Sequence, residues 1–137
     1  MGEAFFGAKV MIFIGAALLV IRRDEFPSIP DPNRLDFPGG GREGCETPEE
    51  TVIRETREEV GLRLSPEALT YKACAMRPKG KVWFFAAHLP EGAEAGIVFG
   101  DEGQGWQVMP PEDYLTHPDR IARFADQLSA YLALRRG

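Results

Sequence analysis

The chain has 137 residues, enough for one domain with a core of its own and too few for two. Its apolar fraction of 44% and charged fraction of 27% are ordinary for a soluble globular protein. The net charge of −5 argues against duplex DNA or an anionic membrane as partner, since either calls for a basic surface. A small anionic ligand stays open, provided that something cationic helps to hold it.

From the N-terminus, the first long feature is VMIFIGAALLVI, residues 10–21. Twelve apolar residues fall short of the roughly 20 that a membrane span needs. As a leader peptide the region is poor, because Glu3 precedes it and Lys9 is its one positive charge. Gly15 instead fits a tight turn between two buried strands, Lys9–Ile14 and Ala17–Arg22. The expectation is a soluble, cytoplasmic protein, with Cys45 and Cys74 as free, reduced thiols. Cys74 lies in an apolar strand-like run and is expected to fill the core; Cys45 lies in a Gly-rich loop without a neighbouring base.

Residues 24–38 read as a long loop with four prolines, of the kind that borders a binding site. PGGGREGCETPEE then runs from a Gly-rich turn into a helix start. Thr47 can cap that helix, Pro48 suits its first position, Glu50 completes a capping box, and Gly61 ends it. The helix is expected over Pro48–Val60. Leu69–Met76 and Lys81–Leu89 flank Arg77-Pro78-Lys79-Gly80 as a hairpin. Ile97–Phe99 and Gly105–Met109 read as two further strands around GDEGQG. A last helix is expected to open at Thr116, with Ile121, Phe124, Leu128, Tyr131 and Leu132 on its inner face. The fold class is α+β, a mixed β-sheet between helices in an α/β/α sandwich, with one domain over residues 1–137.

The segment RETREEVGL, residues 54–62, places Glu55, Glu58 and Glu59 within an arc of roughly 100° on the first helix. Val52, Ile53, Thr56 and Val60 take a different arc, the core face. Each like-charge pair one turn apart costs roughly 0.2–0.5 kcal/mol in an exposed helix. A hard divalent cation such as Mg²⁺ or Mn²⁺, which prefers oxygen ligands, would offset that repulsion. Taken alone, the segment also fits a solvated acidic face balanced by Arg54 and Arg57.

The wider pattern is Gly40-x5-Glu46-x7-Arg54-Glu55-Thr56-x-Glu58-Glu59-x-Gly61-Leu62. It resembles the signature of the Nudix hydrolase family, departing only at Thr56, where the family usually has an aliphatic residue. LDFPGG before it is similar to the entry strand of MutT-like members, and LLVIRRD to the strand preceding that one. GDEGQGW is similar to the later segment in which the family often supplies another acidic residue. The resemblance covers most of residues 8–115.

It implies a metal-dependent pyrophosphohydrolase that cleaves the diphosphate of a nucleoside diphosphate linked to X, with an oxidised nucleoside triphosphate among the candidates. It implies Glu58 and Glu59 as principal Mg²⁺ (or Mn²⁺) ligands, with Glu55 also a ligand and the Gly39 backbone carbonyl as a further one. Arg54 would orient these groups by pairing with Glu46 or with a catalytic glutamate. Glu102 is a candidate extra ligand or general base, a role shared in expectation with Glu55, and Asp101 is a further alternative. Arg23, Gly39 and Gly40 would lie against the substrate.

Other cations that could reach phosphates are Arg34, Arg77, Lys79 and Lys81. Phe37, Trp83, Phe85 and Trp106 could stack a base, although core packing is the first expectation for each. His88 and His117 receive no role. The competing reading is a catalytically silent Nudix-fold module that binds a nucleotide. The retained glutamates favour the enzyme. A calcium loop fails on spacing, since these acidic residues lie on a helix. The identity of X and a homodimer both stay open.

Overall fold

A computed structural model describes residues 4–136. Its centre is β1 (Gly7–Ile14), which is apolar at nearly every position because it is covered on both faces. β1 pairs in parallel with β6 (Gly80–Leu89) on one side. On the other side it pairs with β2 (Ala17–Arg22) through Phe13–Ile14 and with β4 (Gly39–Gly41) through Gly7–Lys9. β2 continues to β3 (Leu35–Asp36) and β7 (Gly105–Met109), and β5 (Tyr71–Arg77) forms the opposite edge against β6. The result is one mixed, seven-stranded sheet among the described residues.

Strand alternation splits the core into two layers. Met11, Phe13, Leu18, Val20, Phe84 and Ala86 face the C-terminal helices α2 (Pro111–Leu115) and α3 (Ala122–Arg136), meeting Tyr114, Phe124, Leu128 and Tyr131. Val10, Ile12, Leu19, Ile21, Phe85 and Ala87 face α1 (Pro48–Val60), meeting Val52 and Val60. This is the expected sandwich of helices about a mixed sheet. Trp83, Phe84 and Phe85 therefore all pack inward, Phe84 into one layer and its two neighbours into the other.

α1 has the expected bounds. Thr47 Oγ1 accepts from the Glu50 N–H at 3.1 Å, Glu50 returns the bond to the Thr47 N–H at 2.8 Å, and Gly61 closes the helix in the left-handed region.

Four expectations change. Cys74 is exposed rather than core: β5 is an edge strand, and its outward face carries Lys72, Cys74 and Met76. Residues 97–99 join no ladder; the segment docks on the end of α1, where Val98 N donates to Val60 O at 2.9 Å. No helix starts at Thr116, which instead ends α2; Pro118 interrupts the chain, and α3 begins at Ala122. The hairpin's first strand runs Tyr71–Arg77, because residues 66–68 form a 3₁₀ turn ahead of it.

Candidate active site

The acidic flank of α1 lies against the Gly-rich strand β4. Gly39 and Gly40 make that approach feasible. A Cβ on Gly39 would meet Ala8 O at 2.1 Å, and one on Gly40 would meet Glu55 Cδ at 2.5 Å. The bare backbone is what lets Glu55 lie over β4 and lets Glu59 Oε1 accept from the Gly39 N–H at 2.8 Å.

Arg54 ties the flank together. Its Nε and Nη2 grip Glu46 bidentately, at 2.6 Å to Oε2 and 3.1 Å to Oε1. Nη2 also donates to Gly41 O at 2.9 Å, and Nη1 donates to Glu55 Oε2 at 3.0 Å and Glu58 Oε1 at 3.2 Å. Glu46 is held further by Thr51 Oγ1 and the Glu43 N–H, both at 2.9 Å. The Arg54 guanidinium holds the Glu46 carboxyl down at about 2. The same contact raises Arg54 above its usual range.

Glu55 and Glu59 respond in the opposite sense. Burial pushes Glu55 up against the pull of Arg54. Burial pushes Glu59 up to about 7, against the opposing pull of Lys9 and the Gly39 N–H. Glu58 is half exposed.

Among the described residues, no three carboxylate, imidazole or thiol groups already converge as a metal cage. The donor set nonetheless fits a hard divalent cation. Glu59 is a desolvated carboxylate with one backbone hydrogen bond, from the Gly39 N–H of β4, and Glu55 lies against Gly40 of the same strand. Two cations of the chain itself neutralise the set: Arg54 on Glu55 and Glu58, and Lys9, whose Nζ donates to Gly39 O at 3.1 Å.

Gly40 and Gly41 also wall a cavity of about 650 Å³ on the α3 side of the sheet, together with Lys9, Arg23, Phe84 and Phe124. Arg23 reaches its rim, but Nε is committed to Pro30 O at 2.9 Å and Nη1 to Asp36 Oδ2 at 2.8 Å. Arg77 and Lys79 reach the cavity from the hairpin tip. Arg123 of α3 pairs there with Asp31 of the 24–34 loop, which lowers the Asp31 carboxyl.

Other candidates lie elsewhere. Glu102 and Asp101 are exposed in the bend before β7, and among the described residues no hydrogen bond or ion pair joins either of them to the glutamate flank. Gly100 N donates to Glu59 O at 2.8 Å, so the segment before that turn lies at the end of α1. Arg34 donates to Pro118 O at 3.0 Å. Phe37 is wholly buried against Tyr114 and Phe124, and Trp83 lies under the Lys72 ammonium, so neither is open to a base. Trp106 is partly exposed on β7. His88 bonds Tyr131 Oη at 2.6 Å and stacks on Phe13.

Lys9, Asp36 and the Asp31–Arg123 pair were not singled out from sequence. The available signals were a lysine beside an apolar strand run and an acidic residue inside LDFPGG.

A glutamate helix capped at both ends, clamped by one arginine onto a glycine strand beside a cavity, defines the Nudix class of domain. Residues 6–132 match the NUDIX domain family, and the chain belongs to it. Its members typically use a divalent metal. Among curated proteins the chain is similar to the 8-oxo-dGTP diphosphatase of Escherichia coli K12, 39% identical over 79 residues. That match spans 56% of this chain and 58% of the relative, less than two thirds of its length. Solved structures agree on the fold. A MutT protein from Methanosarcina mazei Go1 superposes with a TM-score of 0.79 at 21% identity, covering 97% of this chain and 96% of that one. An Ap4A hydrolase from C. elegans gives 0.75 at 23% identity, covering 96% and 98%.

Proposed function

We propose that the chain is a Nudix pyrophosphohydrolase, using Mg²⁺ or Mn²⁺ to cleave the diphosphate of a nucleoside diphosphate linked to X. The observation that carries this reading is the shared wall. Gly40 touches Glu55 on one side and lines the cavity on the other. A nucleotide in the cavity would thus extend its phosphates over β4 toward the glutamates.

Glu58, Glu59 and Glu55, with the Gly39 carbonyl, would hold the ion. When bound, such an ion polarises phosphoryl oxygens and lowers the pKa of its water. The chain's own residues do the rest. Arg54 fixes the rotamers of Glu55 and Glu58 and is itself fixed by Glu46. Arg23, Lys9, Arg77, Lys79 and Arg123 outnumber the carboxylates Asp31, Asp36 and Asp126 around the cavity, in a chain whose net charge is −5. Glu55, already at the glycine strand with its carboxyl pushed up, is better placed as general base than the exposed Glu102.

The similarity to the bacterial 8-oxo-dGTP diphosphatase favours an oxidised purine nucleoside triphosphate as substrate. Two exposed, free cysteines are consistent with a reducing, cytoplasmic setting.

The test is incubation with Mg²⁺ and a panel of nucleoside triphosphates, 8-oxo-dGTP, ADP-ribose, nucleotide sugars and dinucleoside polyphosphates, with products identified by mass spectrometry. Cleavage of one class, abolished by EDTA, is the expected result. Glu58→Gln and Glu59→Gln should each lose at least about a hundredfold in kcat with the fold intact by circular dichroism. Near-normal turnover by either variant would remove that residue from the ligand set.

A further inference from the structure

Lys9 is a charged residue in a strand otherwise built for the core. It shares a face of β1 with Met11 and Phe13, and its side chain is only 14% exposed. Its ammonium has three protons and meets three oxygens: Asp36 Oδ2 at 3.1 Å, Phe37 O at 3.3 Å and Gly39 O at 3.1 Å. All three belong to residues 36–39, which run from the end of β3 to the start of β4. Asp36 is buried and also accepts from Arg23, so this turn carries two cations on one carboxylate. Gly39 therefore presents its N–H to Glu59 and its carbonyl to Lys9.

We propose that Lys9 is the resident cation of the Gly39 carbonyl, a positioning residue with which a divalent ion must compete for that oxygen. The proposal rests on the metal-dependent reading above. A hard dication bonds a carbonyl oxygen at roughly 2.0–2.6 Å, and an ammonium on the same oxygen would lie within a few ångströms of it. Like charges that close repel strongly in a partly buried setting. The ammonium is tethered, so it competes at every metal concentration and lowers apparent metal affinity. In return it keeps β4 seated on β1 and offsets the charge of Glu55 and Glu59 while no ion is present. When it yields the carbonyl, Lys9 keeps Asp36 and Phe37 O and has one N–H for the cavity that it lines.

The test is Mn²⁺ binding to the full chain without nucleotide, read from the electron paramagnetic resonance signal of free Mn²⁺. Lys9→Met should bind Mn²⁺ at least tenfold more tightly than wild type, and Lys9→Gln should follow it. Lys9→Arg, which keeps the charge, should not. Unchanged or weaker binding in Lys9→Met overturns the proposal and leaves Lys9 as a structural clip on the turn. Should Lys9→Met fail to fold with Asp36 half-paired, Lys9→Met/Asp36→Asn removes both charges together, and its affinity is judged by the same criterion. Failure here is separable from failure of the proposed function. Metal-dependent hydrolysis by wild type with no gain of affinity in Lys9→Met sinks only this inference. Absence of Mn²⁺ binding in wild type and variants alike sinks both.

Discussion

Glu59 accepts one hydrogen bond, from the Gly39 N–H, and is otherwise removed from water. Burial is the larger effect, and it raises the carboxyl from 4.5 to about 7. The unfolded chain therefore releases this proton at lower pH than the folded one. The stability tied to Glu59 is fully present below pH 4.5 and is lost as pH rises through 7, on the order of 3 kcal/mol at about 1.4 kcal/mol per unit. Glu55 shifts in the same direction. Glu46 has the opposite sign; its contribution is present above 4.5 and lost as pH falls through about 2, outside this window. His88 is depressed by burial and by Arg135, so it stabilises the fold as pH rises and opposes Glu59. Comparison with Glu59→Gln cancels His88. In EDTA, the melting-temperature advantage of Glu59→Gln should grow from pH 5 to about pH 7 and level off above it. A flat difference would mean that Glu59 is ionised at low cost. The same residue shows what sequence conveys about this site. Glu55, Glu58 and Glu59 were legible because their spacing lies within one helix. Lys9 was not, because its partners Asp36, Phe37 and Gly39 come about thirty residues later and meet it only through the β1–β4 pairing.

At the scale of the element, α1 was the most legible part of the chain because its signals are local. Thr47, Pro48, Glu50 and Gly61 each act within a few residues of the helix end they define. The edge strand β5 and the segment at 97–99 were misread for the converse reason. Whether an apolar run is covered, or a short extended piece finds a ladder, depends on neighbours distant in sequence. Two threonines within α1 and its cap should behave oppositely. Thr47→Ala removes the oxygen that satisfies the Glu50 N–H and should cost about 1 kcal/mol. Thr56 is fully buried on the core face, and its Oγ1 has no hydrogen-bond partner among the described residues. Thr56→Val keeps the shape and removes the stranded hydroxyl, so it should gain roughly 1 kcal/mol. Urea titrations that showed both changes lowering stability would place a partner on the Thr56 hydroxyl.

Across the whole molecule the sheet separates two tasks. The layer on the α1 side, centred on Val52, Val60 and Phe85, sets where the glutamates lie. The layer on the α3 side gives the cavity its apolar wall through Phe84, Ile121 and Phe124, with Phe37 packed behind Phe124. A closely packed layer transmits a deletion mainly to the groups resting on it. Core truncations on the two sides should therefore differ in kinetic signature as well as in stability. Phe124→Ala deletes a ring held between Phe37 and Phe84 and should cost about 3–5 kcal/mol. It also enlarges the cavity, so the surviving folded protein should show a raised KM with kcat nearly unchanged. Val52→Ala removes two methyl groups one turn before the acidic flank and should cost about 2 kcal/mol. It loosens the helix that carries Glu55 and Glu59, so kcat should fall several-fold with KM little altered. Steady-state kinetics on both variants, well below their melting temperatures, decide the matter. If Phe124→Ala lowers kcat as Val52→Ala does, the two layers are mechanically coupled through β1, and the cavity and the glutamates must be treated as one unit.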